Sequence, residues 1–188
     1  MLNTVLTMKN EKLSMEELGR MSVEEYKLSQ KTPVTVILDN VRSMNNIGSM
    51  FRTCDAFRIE KIFLCGITAT PPNREINKTA LGATESVDWQ YAEDAVECIK
   101  SLKAKGYTVL SSEQTTDSIF LQDYSVKGQT PLALVFGNEV EGVQQEIIDL
   151  SDAVLEIPQF GTKHSFNVSV TCGIVLWELV KQLKFRSA

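Results

Sequence analysis

Two apolar runs in the last third of the chain, each halted by a loop of glycine and polar residues, constrain its fold most. Residues 131–185 read PLALVFGNEVEGVQQEIIDLSDAVLEIPQFGTKHSFNVSVTCGIVLWELVKQLKF. Both runs, at 132–136 and 153–157, are short; the first is uninterrupted and the second carries one polar residue, Glu156. Such runs suit strands buried on both faces, as in a parallel sheet flanked by helices. The second loop opens straight into a long apolar helix. Open α/β sheets bind ligands where strand ends open into loops of this kind. Loops 137–142 and 157–167 are therefore candidate ligand loops.

The rest of the chain fits the same architecture. Val34, Val36, Ile37 and Leu38 form a β-branched strand, and residues 61–65 (KIFLC) form a second. Between them Ile47, Met50, Phe51, Cys54 and Phe57 recur at helical spacing, which predicts a helix over 46–57 capped by Asn45 or Asn46. A further helix is expected over 94–105, closed by Gly106, and then a strand in YTVLSS. The predicted order is β-α-β-α-β-β-α-β-α, an α/β fold with a mostly parallel sheet sandwiched by helices. Residues 1–31 read as a polar helical extension of two short helices, since Ser14/Glu17 and Ser22/Glu25 both fit capping boxes. Residues 32–188 read as one domain.

Composition excludes more than it selects. Of 188 residues 43% are apolar, enough for a core, and no run is long enough to cross a membrane. The N-terminus lacks a signal-peptide core, so a cytoplasmic protein is expected. Cys54, Cys65, Cys98 and Cys172 are scattered without ligand spacing, which predicts reduced thiols and no metal. A net charge of -5 argues against a general affinity for nucleic acid, but not against a local basic face.

Three constellations are able to carry chemistry. The loop Gly137-Asn138-Glu139-Val140-Glu141-Gly142 follows a strand but is not a dinucleotide fingerprint. Its carboxylates disfavour a phosphate ligand and suit an uncharged or cationic one. Spacing alone favours a tight turn with two solvated glutamates. In the second loop Ser165 or Asn167 can cap the helix that follows. His164, the single histidine, is the obvious base by residue type, but beside Lys163 in a loop it reads as solvated. The third constellation is Asn46, Gly48 and Arg52 on the first helix. An arginine on that helix calls for a partner, either a structural ion pair or a ligand.

Taken together and in order, these patterns resemble the SpoU (TrmH) family of RNA ribose 2'-O-methyltransferases in the SPOUT superfamily. The motifs are Asn46-x-Gly48-x-x-x-Arg52, Gly137-x-Glu139-x-x-Gly142, and Ile157-Pro158 followed by Gly161 and Ser165-Phe166-Asn167-Val168-Ser169. Lys78 to Gly82 and the alanine after it resemble the family's Gly-Ala stretch. Met44, Gln159, Phe166 and Thr171 depart from its usual residues, which touches the shape of the pocket rather than the reaction.

The resemblance implies a deep C-terminal trefoil knot and S-adenosyl-L-methionine as cofactor. It implies a homodimer with the site at the interface. Cofactor contacts are expected at Gly137, Ile157, Ser165 and Phe166, with Ser112 under the adenine. Arg52, Asn46, Glu139, Ser165 and Asn167 are implied for catalysis. Free arginine keeps its proton above about pH 12, so Arg52 acts as a base only through a relay such as an RNA phosphate, or else it clamps the phosphate. Arg42, Arg74, Lys78 and Lys163 are candidate RNA contacts. A compact tRNA is expected over rRNA, because no separate RNA-binding domain precedes Pro33. The alternative reading is a non-catalytic RNA-binding or assembly protein on the same fold.

Overall fold

The computed structural model describes residues 10–14, 16–128 and 130–185. After helix α1 (Val23–Leu28), strand β1 (Thr32–Asp39), helix α2 (Met44–Ala56) and strand β2 (Ile59–Cys65) form the first βαβ unit. Helices α3 (Arg74–Ala80) and α4 (Ala83–Ser86) precede β3 (Trp89–Ala92), α5 (Ala95–Ala104) and β4 (Thr108–Ser112). The chain closes with β5 (Ile119–Phe120), β6 (Leu132–Phe136), α6 (Gln145–Leu150), β7 (Ala153–Glu156) and α7 (Val168–Phe185). The strands make one sheet in the order β3-β2-β1-β6-β4-β7-β5, and every pairing in it is parallel.

Burial on both faces explains the continuous apolar runs. Along β6, Leu132, Leu134 and Phe136 join the cluster formed with Ile47, Met50 and Phe51 of α2 and Cys172, Leu176 and Leu179 of α7. Ala133 and Val135 join the opposite cluster, with Ile99 and Leu102 of α5 and Ile147 of α6. The result is three layers, helix–sheet–helix, in which the central strand β6 and the next-to-edge strand β7 end in the two candidate loops.

Several expectations need correction. Helix α2 begins at Met44, and its cap is Ser43, whose Oγ accepts from Asn46 N at 3.3 Å. Neither Asn45 nor Asn46 caps it, which leaves the Asn46 amide available elsewhere. Two strands add to the expected set, β3 and β5, one at each edge of the sheet. In the N-terminal extension the Ser22/Glu25 capping box starts α1. The Ser14/Glu17 pair forms too, but Gly19, at φ 56, leaves the helical region after a single turn. Residues 1–9 of that expected extension lie outside the described residues.

Candidate functional site

The loops after β6 and β7 meet around a cleft of about 720 Å³, lined also by Ser112, Glu113 and Gln114 at the end of β4. Loop 137–143 is a closed ring. Asn138 N donates to Gly142 O at 3.0 Å, and Gly142 N returns to Asn138 O at 2.9 Å. Asn138 Oδ1 accepts from Val140 N at 2.8 Å, and its Nδ2 reaches Asn40 O at 2.8 Å. A Cβ on Gly137 would overlap the Gly142 carbonyl and Val143 N, so the ring closes only with glycine there.

Glu139 leaves its own loop to cap another element. Its Oε2 accepts from Arg42 N at 2.9 Å, and its Oε1 from Ser43 N at 2.9 Å and Asn46 Nδ2 at 3.0 Å. A carboxylate on the first N–H groups of α2 is favoured by hydrogen bonding and by the helix dipole. Partial burial acts to raise the Glu139 pKa, but the Arg42 and Ser43 N–H groups and the Asn46 amide outweigh it and hold it below the ordinary value. Asn46 Oδ1 then accepts from Asn167 Nδ2 at 3.0 Å. Asn167 Oδ1 accepts from Ser169 N at 2.9 Å and Ser169 Oγ at 2.6 Å, and so caps α7. Thus one chain of hydrogen bonds joins all three sequence motifs, from Glu139 through Asn46 to Asn167.

The five expected cofactor residues, Ser112, Gly137, Ile157, Ser165 and Phe166, all line the cleft. So do Glu139 and Asn167, while Asn46 is bonded to both. Arg52 does not line it. It is exposed on α2, six residues beyond Asn46 or about 9 Å along the axis. Among the described residues Arg52 forms no ion pair, so of the two alternatives the structural pairing is not seen. Arg42, Arg74, Lys78 and Lys163 are exposed, and Lys78 pairs with Glu75 at 2.7 Å. His164 lines the cleft, and its backbone carbonyl accepts from Gln114 Nε2 at 2.8 Å. Sequence reasoning missed Glu113, Gln114 and Asn138. An asparagine or glutamate just past a buried strand was the available signal.

The cleft's chemistry restricts its ligand. Glu113, Glu139, Glu141 and Glu156 line it, with no lysine or arginine among the lining residues. Such a wall repels a phosphate-bearing cofactor and suits a cationic one. Its volume is that of a small-molecule site.

Comparison with known proteins agrees with this geometry. A family model described as the SpoU rRNA Methylase family matches residues 33–177. The chain is 31% identical over 167 residues to the tRNA (guanosine(18)-2'-O)-methyltransferase of Thermus thermophilus, covering 88% of this chain and 84% of that protein. It is 29% identical to the 23S rRNA (guanosine-2'-O-)-methyltransferase RlmB of Vibrio parahaemolyticus, covering 89% of this chain and 66% of that one. The crystal structure of the A. aeolicus TrmH/SpoU tRNA modifying enzyme superposes with a TM-score of 0.76 at 26% identity, over 85% of this chain and 81% of that one. An AdoMet-bound rRNA methyltransferase from Sinorhizobium meliloti gives 0.74 at 29% identity, over 81% and 57%.

Proposed function

The chain belongs to the SpoU rRNA Methylase family, and from that premise we propose that it methylates a ribose 2'-hydroxyl in structured RNA, using S-adenosylmethionine. The observation that carries the reading is the Glu139–Asn46–Asn167 chain of hydrogen bonds, which joins the three motifs at the edge of an acidic cleft. When bound, S-adenosylmethionine supplies an activated methyl group on a sulfonium. A wall of carboxylates free of lysine and arginine fits that cation.

The residues divide the work as follows. Gly137, Ile157 and Phe166 would hold the adenosine end through backbone groups, Ser112 would contact the adenine, and Ser165 would contact the cofactor and orient the ribose. Glu139 spends its carboxylate on the start of α2, so it acts by positioning that helix and Asn46. Arg52 meets the ribose or an adjoining phosphate, as proton relay or clamp. Asn46 and Asn167 position the nucleotide and the loop. Arg42, Arg74, Lys78 and Lys163 contact phosphates. Exposed pairs such as Lys78 with Glu75 contribute little to stability, so phosphate replaces the glutamate readily.

We read tRNA as the favoured substrate over rRNA, supported by the 31% identity to a tRNA enzyme covered over 84% of its length. Residues 32–188 make the methyltransferase domain, with the trefoil knot at the two cofactor loops, and 1–31 make an accessory extension. The working unit is a cytoplasmic homodimer. Support for the dimer is the apolar outer face beside α2 and α7, where Trp177 is 52% and Val170 49% exposed.

Calorimetry with S-adenosylmethionine, followed by transfer of labelled methyl to tRNA and rRNA transcripts, tests the proposal. Binding and label in ribose are expected, with tRNA preferred. Arg52→Lys is expected to bind the cofactor normally and lose about 100-fold or more in transfer, because a point charge does not replace the planar fork. Absence of binding at millimolar ligand defeats the proposal.

A further inference from the structure

Glu113 and Gln114 stand outside the three motifs, at the end of β4, between the two cofactor loops. Glu113 N donates to Leu155 O at 3.1 Å, which fixes the residue to the end of β7. Its carboxylate faces the other loop. Oε2 accepts from Val143 N at 3.0 Å, and a Cβ on Gly142 would overlap that same oxygen. Oε1 accepts from Gln114 N at 2.8 Å, which sets the direction of the next side chain. Gln114 Nε2 then donates to the His164 carbonyl at 2.8 Å.

The far loop has few other restraints. Residues 160–167 are all exposed. Among the described residues, both hydrogen bonds that reach 160–166 end on the His164 carbonyl, and the second, from Gln159 Nε2, is 3.5 Å long. Gln114 is therefore the principal tether of this loop, as Glu113 is a tether of loop 137–143.

We propose that Glu113 and Gln114 form a clamp that fixes the separation of the two loops and thereby sets the affinity for S-adenosylmethionine. Both are positioning residues. The inference rests on the reading of this cleft as the S-adenosylmethionine site. A ligand gripped by backbone groups on two loops binds tightly only when both are held beforehand; an untethered loop must be ordered at the moment of binding. A charged acceptor on a backbone N–H is the stronger of the two tethers. The clamp also gives His164 its role: its carbonyl is the anchor, and its imidazole is dispensable.

The test measures S-adenosylmethionine Kd by calorimetry, kcat at saturating cofactor, and Tm, for the full chain and for Glu113→Ala, Gln114→Ala and His164→Ala. Gln114→Ala is expected to raise Kd about tenfold, the loss of one well-made hydrogen bond, and Glu113→Ala, which removes the acceptor of two and a carboxylate of the cleft wall, by at least as much, while kcat is retained. His164→Ala keeps the carbonyl and is expected to leave Kd within about twofold of wild type. Gln114 is exposed, so Gln114→Ala carries the test alone if Glu113→Ala does not fold. A Gln114→Ala Kd within about twofold of wild type overturns the clamp, and so does a His164→Ala loss equal to that of Gln114→Ala. Failure of the wild-type chain to bind overturns the proposed function and the clamp together, so the two failures are distinguishable.

Discussion

Glu139 sits in the loop after β6, yet its carboxylate accepts from Arg42 N, Ser43 N and Asn46 Nδ2, all at the start of α2. Its negative charge is thus held by two backbone N–H groups and an amide rather than by a cation. This has a pH signature. Those donors outweigh partial burial and depress the folded pKa. Glu139 therefore stabilises the fold above its unfolded pKa, about 4.3, and the contribution is lost as pH falls through the lower folded value. Glu139→Gln keeps an acceptor but loses the charge. Its Tm is expected to lie below wild type at neutral pH, with the gap closing below about pH 4. Melting curves across pH 3–8, roughly the range over which carboxylates titrate, check this; a gap that persists unchanged into acid rules out the charge as the cause.

Helix α2 shows what the sequence discloses and what it withholds. Its apolar spacing was legible: Ile47, Met50, Phe51 and Cys54 are buried as the spacing selects, while Phe57, the fifth residue selected, is the half-buried C-cap just past the helix end at Ala56. Its cap was not, because Ser43, Asn45 and Asn46 are all good caps and only the distant Glu139 decides among them. The central strands were legible for a similar reason: burial on both faces leaves continuous apolar runs. The edge strands β3 and β5 were not. Trp89–Ala92 is half exposed, and Ile119–Phe120 is short and exposed on both residues, so neither shows a run or an alternation. At the cleft, the motifs marked lining residues such as Gly137, Glu139, Ser165 and Asn167, whereas Glu113 and Gln114 lie outside them and bond backbone groups far along the chain. Gly48 lies between these cases. It reads as a motif glycine, but its physical duty is to let α2 approach α3, since a Cβ there would overlap the Ile76 carbonyl and Thr79 Oγ1. Gly48→Ala is expected to lower stability by about 1–3 kcal/mol, several degrees of Tm in a domain this size. Thermal melting measures it, and an unchanged Tm contradicts the close approach.

At the scale of the whole molecule, the cleft and Arg52 are separated. The cleft is built from the ends of β4, β6 and β7, whereas Arg52 is exposed on α2 and lines none of it. Beside it α2 lies against α7, which presents Trp177 and Val170 to the outside. In the proposed homodimer a second copy covers that face and Arg52 of one chain serves the cleft of the other; mixing two inactive chains tests the arrangement. Arg52→Ala retains the cleft. Gly142→Ala retains Arg52, but its new Cβ overlaps Glu113 in a backbone conformation, φ 72, that suits glycine. Each variant alone is expected to be inactive. After co-refolding, half of the dimers are mixed, and one of the two sites in each pairs an intact cleft with an intact Arg52. Sites completed across a two-fold axis therefore recover about a quarter of wild-type methyl transfer. Sites completed within one chain recover none, because no chain in the mixture carries both parts.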